Sequence, residues 1–329
     1  MNFVLYTNME ALPESARALF SASESLNLFL SEPWIETLAA TTPGLALACV
    51  EDGRATYALL PLVKQEGGHY AALKHRYTSL YSLLLVEDNR QAVLGCLVAG
   101  LAALRVRALL LEPVATDDAS LSELQHCMEG MGYRCERYFR FYNWVLRVQG
   151  QTFEQDMGGR PSRLRNTLAR KRRKLRREQG CEFQLYAGAD VPPAMPDYHA
   201  VYGASWKARE QYGDLLSSVV ERFSRRGWTR LAVCYITGQP AAAQLWFVVN
   251  DKASIFRLAY DENWKQYSPG SLLTAYMMEH MIDGERVQEI DFLTGNEAYK
   301  QDWMSERRER WALSCVSSPG PSGVVGRLK

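Results

Sequence analysis

Two strings decide the fold: Tyr267-Ser268-Pro269-Gly270-Ser271-Leu272-Leu273, and, after a stretch with helical character, Glu289-Ile290-Asp291-Phe292-Leu293-Thr294-Gly295-Asn296-Glu297-Ala298-Tyr299-Lys300-Gln301-Asp302-Trp303. In the first, Pro269 fixes the chain ahead of a helix and Gly270 lets backbone approach a ligand, so N–H groups at the helix start face outward. Such a terminus binds anions, pyrophosphate included. Residues 267–273 by themselves fit an ordinary Pro-Gly helix start equally well. In the second, Asp291 ends an apolar strand just before Thr294 and Gly295, where it can accept a proton from a nucleophile. It can also cap the turn through the N–H groups that follow. Tyr299 offers a phenol proton and Lys300 a partner for phosphate or carboxylate; their plainer roles are a half-buried aromatic and a surface charge. Glu297 is a second carboxylate, with solvation its plainer fate.

Working outward, the most biased segment of the chain lies between Arg160 and Arg177, ten Lys/Arg in 18 residues with no acid. Leu164, Leu168 and Leu175 recur at spacings of four and seven, which predicts a helix over 162–179 that is apolar on a narrow stripe and cationic elsewhere. Its cations Arg163, Arg165, Arg170, Lys171, Arg172, Arg173 and Lys174 suit a polyanion or, equally, a solvated face braced by acids such as Glu178, Glu182 or Glu221. The whole chain has 329 residues and a net charge of +1, but outside this segment 28 Lys/Arg face all 37 Asp/Glu. Hydrophobic residues at 47% and charged residues at 23% are those of a globular protein and exclude a disordered or collagen-like chain. The length allows two domains. No apolar run reaches the roughly 20 residues that span a bilayer, and Met1 to Glu14 lacks the pattern of a signal peptide. Seven scattered cysteines without a CxxC pair and five histidines predict reduced thiols and no metal site.

Periodicity and turn residues predict strands at 3–7, 45–50, 55–63, 71–73, 80–86, 106–111 and 138–148. Helices are expected at 32–40, 91–104 and 119–131, and a polar boundary at 150–159. After the basic helix the order recurs: a strand at 181–186, helices at 194–211 and 214–225, a meander at 229–236, 241–249 and 253–260, a helix at 270–283 and a strand at 287–293. Trp206, Trp246, Trp264 and Trp303 read as core or rim. Arg257, set in an apolar strand, needs an acidic acceptor, Asp291 or Glu262 as partner. His199 and His280 read as satisfied side chains.

The turn Tyr267 to Leu273, the Asp291-Phe292, Gly295 and Tyr299-Lys300 series, the basic helix, Ser205-Trp206-Lys207 and the hairpin Gly238-Gln239-Pro240-Ala241-Ala242-Ala243 together resemble GNAT-type acyltransferases. The resemblance is to the exopolysaccharide and cellulose-biosynthesis branch, related to the FemAB peptidoglycan aminoacyl transferases, and covers about 162–311. It implies an α/β (α+β) chain of two tandem GNAT-like domains, each a mixed, mostly antiparallel twisted sheet flanked by helices. Their expected bounds are 1–155 for a degenerate first copy and 156–316 for the acyltransferase copy, with a loose tail at 317–329. It further implies acyl-CoA, usually acetyl-CoA, held by Tyr267, Ser268, Pro269, Gly270, Ser271 and Leu272. The acceptor would meet Trp206, Lys207, Arg257 and Gly295, with chemistry at Asp291, Tyr299, Lys300 and Glu297 and no metal. The acceptor is an amine or hydroxyl of a small molecule, sugar or envelope precursor, and the location cytoplasmic, peripheral to the inner face of the membrane if the basic helix binds it. Rival readings use that helix to hold aminoacyl-tRNA, as FemAB relatives do, or an acyl-carrier protein, or make the chain a decayed binding module.

Overall fold

The computed structural model describes residues 1–23, 27–207 and 211–317. The chain divides into two compact units, Met1–Arg140 with Glu309–Lys329, and Phe141–Arg308. Against boundaries expected at 155 and 316, residues 141–155 lie with the second unit and 309–316 with the first. The expected tail beyond Ser317, and the expected end of the 194–211 helix at 208–210, lie outside the described residues.

In the first unit β1 (Asn2–Tyr6) is followed by α1 (Glu14–Ser23), α2 (Glu32–Ala39) and the meander β2 (Leu45–Glu51), β3 (Thr56–Lys64) and β4 (His69–Ala72). A short β5 (Leu84–Leu85), α3 (Arg90–Ala103), β6 (Ala108–Ala115) and α4 (Ala119–Gly130) lead into β7 (Tyr133–Arg147). Pairing within it is antiparallel except between β4 and β6, which α3 connects. α3 carries an apolar run on nearly all sides because it lies against the sheet. Gly100 faces the Phe3 ring so closely that a Cβ there would overlap it. Cys135 and Cys315 form a disulfide in this unit, correcting the expectation of reduced thiols. Their separation of 180 residues gave no local spacing to read, and strand neighbours β7 and β13 (Glu306–Ser317) bring them together.

The second unit begins with α5 (Phe153–Gly159), where a polar boundary was expected. A capping box of Thr152 and Gln155 makes that stretch helical. Then come α6 (Ser162–Glu178), the basic helix, and β8 (Cys181–Ala187), α7 (Val191–Gly203), α8 (Gly213–Arg225), β9 (Thr229–Ile236), β10 (Gln239–Val249) and β11 (Lys252–Tyr260). α9 (Pro269–Glu279) crosses to β12 (Glu289–Thr294), and α10 (Lys300–Trp303) precedes β13. The order across this sheet is β7, β12, β11, β10, β9, β8, antiparallel except for β11 with β12. One face is covered by α6 and α9, whose Leu168, Leu175, Leu273, Met277 and Met278 pack with Trp246, Ile290 and Phe292. The other carries α7 and α8, with Phe223 edge-on to Phe247 at 4.7 Å.

The two units therefore repeat one plan: a strand, two helices, a meander, a crossing helix and a strand parallel to the last of the meander. The final strand of each half completes the other unit's sheet. Residues 143–147 of β7 pair with β12, and residues 310–316 of β13 pair with β6.

At the start of β12 the carboxylate of Glu289 is held by Arg308 and by Lys252, the latter at 3.0 Å, while Lys252 also lies 3.4 Å from Asp291. Burial works against the charge, but the bond to Arg308 and the charge of Lys252 outweigh it and draw the pKa down from 4.5 to about 2. Its contribution to stability is thus present above about pH 4.5 and lost as pH falls toward about 2. Glu289→Gln should lower stability at neutral pH and flatten the stability profile between those values in denaturant titrations; an unchanged slope would refute the assignment. Gly100→Ala should cost about 1–3 kcal/mol by forcing Phe3 out of place, read as a lowered thermal midpoint.

Candidate active site

Parallel pairing between β11 and β12 is confined to three rungs, Lys252 with Glu289, Ala253 with Ile290 and Ser254 with Asp291. Past these rungs both strands are bulged. On β11 the register against β10 shifts so that Phe256 is extra, and on β12 the register against β7 shifts between Asp291 and Thr294. A bulge bends its strand and raises its twist; residues 255–260 and 292–294 no longer pair with each other, and this split between the strands is the cleft of the candidate site. Because α9 crosses between parallel strands, its N-terminus stands at the same end of the sheet as that cleft.

The first bank of the cleft is built on β11. Ser268 enters α9 in the left-handed region with φ 54° and makes no side-chain cap. Leu272 N–H donates to the Ser268 carbonyl, Pro269 has no N–H, and the N–H groups of Gly270 and Ser271 are the ones the first turn presents outward. The Gly270 carbonyl accepts from the Gln244 side-chain amide at 3.1 Å and from Thr274 Oγ1 at 3.0 Å, while Trp246 Nε1 donates to Gln244 Oε1 at 3.0 Å. Gln244 is 1% exposed. This buried chain of amide, hydroxyl and indole fixes the helix start. A Cβ on Gly270 would come within 3.3 Å of the Tyr260 ring, and the other neighbour of that ring is Trp206, 4.5 Å away between centroids and itself 49% exposed. Lys207 donates its ammonium to the Leu258 carbonyl, and the Arg257 guanidinium lies 5.9 Å over Tyr202. Arg257 thus lies against α7.

The second bank is built on β12. Asp291 is 3% exposed, and its Oδ1 accepts from Asn143 Nδ2 and from Leu293 N–H, both at 2.6 Å. Asn143 also donates to the Leu293 carbonyl at 3.1 Å, so carboxylate and amide together hold Leu293 at φ 51°, inside the bulge. Lys300 is 4% exposed, not on a solvated turn. Its ammonium donates to the carbonyls of Phe292 and Thr294 at 3.1 and 2.6 Å and pairs with Glu297 at 3.0 Å. Burial pushes its pKa down, opposed by Glu297 and Asp291. Gly295, at φ 120°, lies so close to the Glu297 carboxylate that a Cβ would collide with it. Tyr299 is 42% exposed; partial burial, then the Glu297 charge, hold its phenol above the usual tyrosine range, so it stays protonated at neutral pH. Two lysines thus play matching roles: Lys207, past the end of α7, bonds a carbonyl of β11, and Lys300, at the start of α10, bonds carbonyls of β12, where the strands part and lose a neighbour.

The structure brings Asp291, Gly295, Glu297 and Lys300 into one cluster, and Trp206, Lys207 and Gly270 into another joined through Tyr260. Of the basic helix, Lys171 donates to the Gln266 carbonyl at 2.6 Å and Lys174 sits 4.9 Å over the Tyr267 ring, whose hydroxyl donates to Glu178. The inner edge of α6 therefore borders the turn that opens α9. Arg163 reaches Asp302, while Arg165, Arg170, Arg172 and Arg173 point to solvent. Sequence reasoning passed over Asn143, Gln244, Thr274 and Tyr260. The signal for the first two was a lone amide inside an apolar strand, which burial obliges to find partners. Among the described residues no group of three or more His, Cys, Asp or Glu gathers into a metal cluster, and no helix is long and apolar enough to cross a membrane.

Residues 162–301 match the acetyltransferase (GNAT) domain family. No curated protein sequence matches the chain. Among solved structures the chain is similar to FemX, at 10% identity over 95% of this chain and 97% of the other with a TM-score of 0.65. It is also similar to L-PGS from Bacillus licheniformis, at 13% identity over 93% and 92% with a TM-score of 0.59. A tandem GNAT protein from the clavulanic acid biosynthesis pathway aligns at 14% identity over 97% and 99% with a TM-score of 0.51. At such identities these likenesses establish the fold, a tandem of GNAT-like units. The matched span, 140 of the 329 residues, runs from the start of α6 to Lys300 and so takes in both banks of the cleft.

Proposed function

We propose that the chain transfers an acyl group, acetyl in the first instance, from acyl-CoA to an amine or hydroxyl of a sugar or cell-envelope precursor by direct attack. The observation that carries this reading is the cleft between β11 and β12 with the uncapped start of α9 at its end. The thioester arm would lie along β11, and its phosphates would meet the N–H groups of Gly270 and Ser271. The acceptor nitrogen or oxygen bonds to the acyl carbon as the carbon–sulfur bond breaks. Tyr299 gives its proton to the departing thiolate, and Glu297, exposed and oriented by Lys300, takes the proton from the acceptor, directly or through water. Asp291, whose Oδ1 already accepts two hydrogen bonds, is assigned as the positioning residue that shapes the β12 bulge. Trp206, Lys207, Arg257 and Gly295 remain the proposed acceptor contacts.

The first unit is proposed as the decayed copy. Its crossing helix α3 begins at Arg90 behind the N-cap Asn89, which Glu87 and Asp88 precede, and Arg90 pairs with Glu87 and Glu123. Acids at a helix N-terminus occupy the field that would otherwise draw phosphate. The exopolysaccharide and cellulose-biosynthesis branch and a cytoplasmic location rest on the motif spacing.

Thiol release from a panel of acyl-CoAs with amine and sugar acceptors tests the reading, together with calorimetric binding; neither release nor binding with any donor would sink it. Tyr299→Phe should lower kcat by about 10²-fold with little change in donor KM. Gln244→Leu should instead raise donor KM by about tenfold while the fold persists, since it leaves the Gly270 carbonyl with Thr274 Oγ1 as its one side-chain donor, strips Trp246 Nε1 of its acceptor and loosens the helix start without touching the reacting atoms. Equal losses of kcat and KM in the two variants would contradict the division of roles.

A further inference from the structure

Helix α6 presents cations in rows. At about 100° per residue, Arg165, Arg172 and Arg176 share one ridge, Arg163, Arg170 and Arg177 another, and Arg173 lies between. Opposite them, Leu168 and Leu175 are buried in the core. Arg163 pairs with Asp302 and Arg177 with Glu178, yet both stay mostly exposed; among the described residues Arg165, Arg170, Arg172 and Arg176 have no acidic partner. The cationic face runs about 25 Å, the length of a 17-residue helix, well beyond one nucleotide. Lys171 and Lys174 tie its inner edge to Gln266 and Tyr267, immediately before the proposed phosphate contacts.

The size of the face calls for a macromolecular polyanion, and its composition narrows the choice. The outward residues between the cations are Asn166 and Ala169. A helix that enters a lipid interface carries large apolar or aromatic residues on the face it inserts, and single-stranded RNA readers interleave aromatics for base stacking. Straight rows of guanidinium forks instead complement carboxylates spaced along a helix.

We infer that α6 is the docking face for an acidic acyl-carrier protein, which delivers the acyl group on a phosphopantetheine arm into the cleft. The inference rests on the acyltransferase reading above and puts a carrier-borne acyl thioester in place of free acyl-CoA as the preferred donor. Bond making is the same: the acceptor's nitrogen or oxygen joins the acyl carbon, the carbon–sulfur bond breaks, the carrier's thiolate is protonated and the acceptor's proton goes to the carboxylate. The charged face sets encounter and orientation rather than chemistry.

The test compares kcat/KM for an acetyl-loaded bacterial acyl-carrier protein and for acetyl-CoA, on the full chain, at low and high salt. The wild type should prefer the carrier at low salt. The triple variant R165Q/R172Q/R176Q and added salt should each reduce that preference by about tenfold or more. The single variant R172Q, with melting curves, gives the same readout at smaller amplitude should the triple variant fold poorly. Turnover of acetyl-CoA with no preference for the carrier, or a preference the substitutions leave intact, would overturn the docking alone. Failure with both donors would overturn the acyltransferase reading and the docking with it. Binding of transfer RNA that the triple variant loses, with no carrier preference, would reassign the face to RNA and also overturn the proposal.

Discussion

Three rungs of parallel pairing between β11 and β12 are the constraint on which the site depends. They are held from outside by charge, because Lys252 and Glu289 face each other across the first rung and Arg308 closes on Glu289 from the far side. They are short because each strand is bulged just beyond them. Were the pairing to run on, the carbonyls of Leu258, Phe292 and Thr294 would have no need of lysine, the N-terminus of α9 would look onto a closed sheet, and Trp206 would have no cleft to border.

The electrostatics of the cleft follow from that geometry. A carbonyl that loses its strand neighbour in a partly buried place must find a donor. Here the donors are ammonium groups, Lys207 on one bank and Lys300 on the other, so the act of opening the sheet makes its opening cationic. The N-terminus of α9 adds partial positive charge at the same end, and the edge of α6 extends it. Anion binding is thus built into the backbone path at the start of α9, while on the other bank Glu297 offsets the charge of Lys300 and Asp291 is held by Asn143 and the Leu293 N–H.

How far this was legible in the sequence depends on the range of the forces involved. The crossing helix, the meander and the basic helix rest on local periodicity and turn chemistry, and the structure has them within a few residues of where the pattern put them. The site strings around Gly270 and Asp291 were visible because a Pro-Gly start and a strand-end acid are local signs. The missing pieces are long-range. Lys300 read as surface because nothing local says that Phe292 and Thr294 will turn their carbonyls toward it. Asn143 lies 148 residues from the carboxylate it binds, and Cys135 lies 180 from its disulfide partner. Strand β13 went unseen because Glu306-Arg307-Arg308-Glu309-Arg310 masks its alternation with charge; those charges are spent on strand neighbours rather than on water.

The exchange of final strands has a consequence for how such a chain comes into being. β6 receives its neighbour from residues 310–316, nearly two hundred positions downstream. On a ribosome the first unit must therefore wait, with an open sheet edge, until β13 has emerged, while β7 is already at hand when β12 appears. The half that bears the proposed chemistry can close its sheet first, and the half without it is completed only when β13 arrives. Cutting the chain between the halves would not release two modules, since each would carry away an edge that belongs to the other.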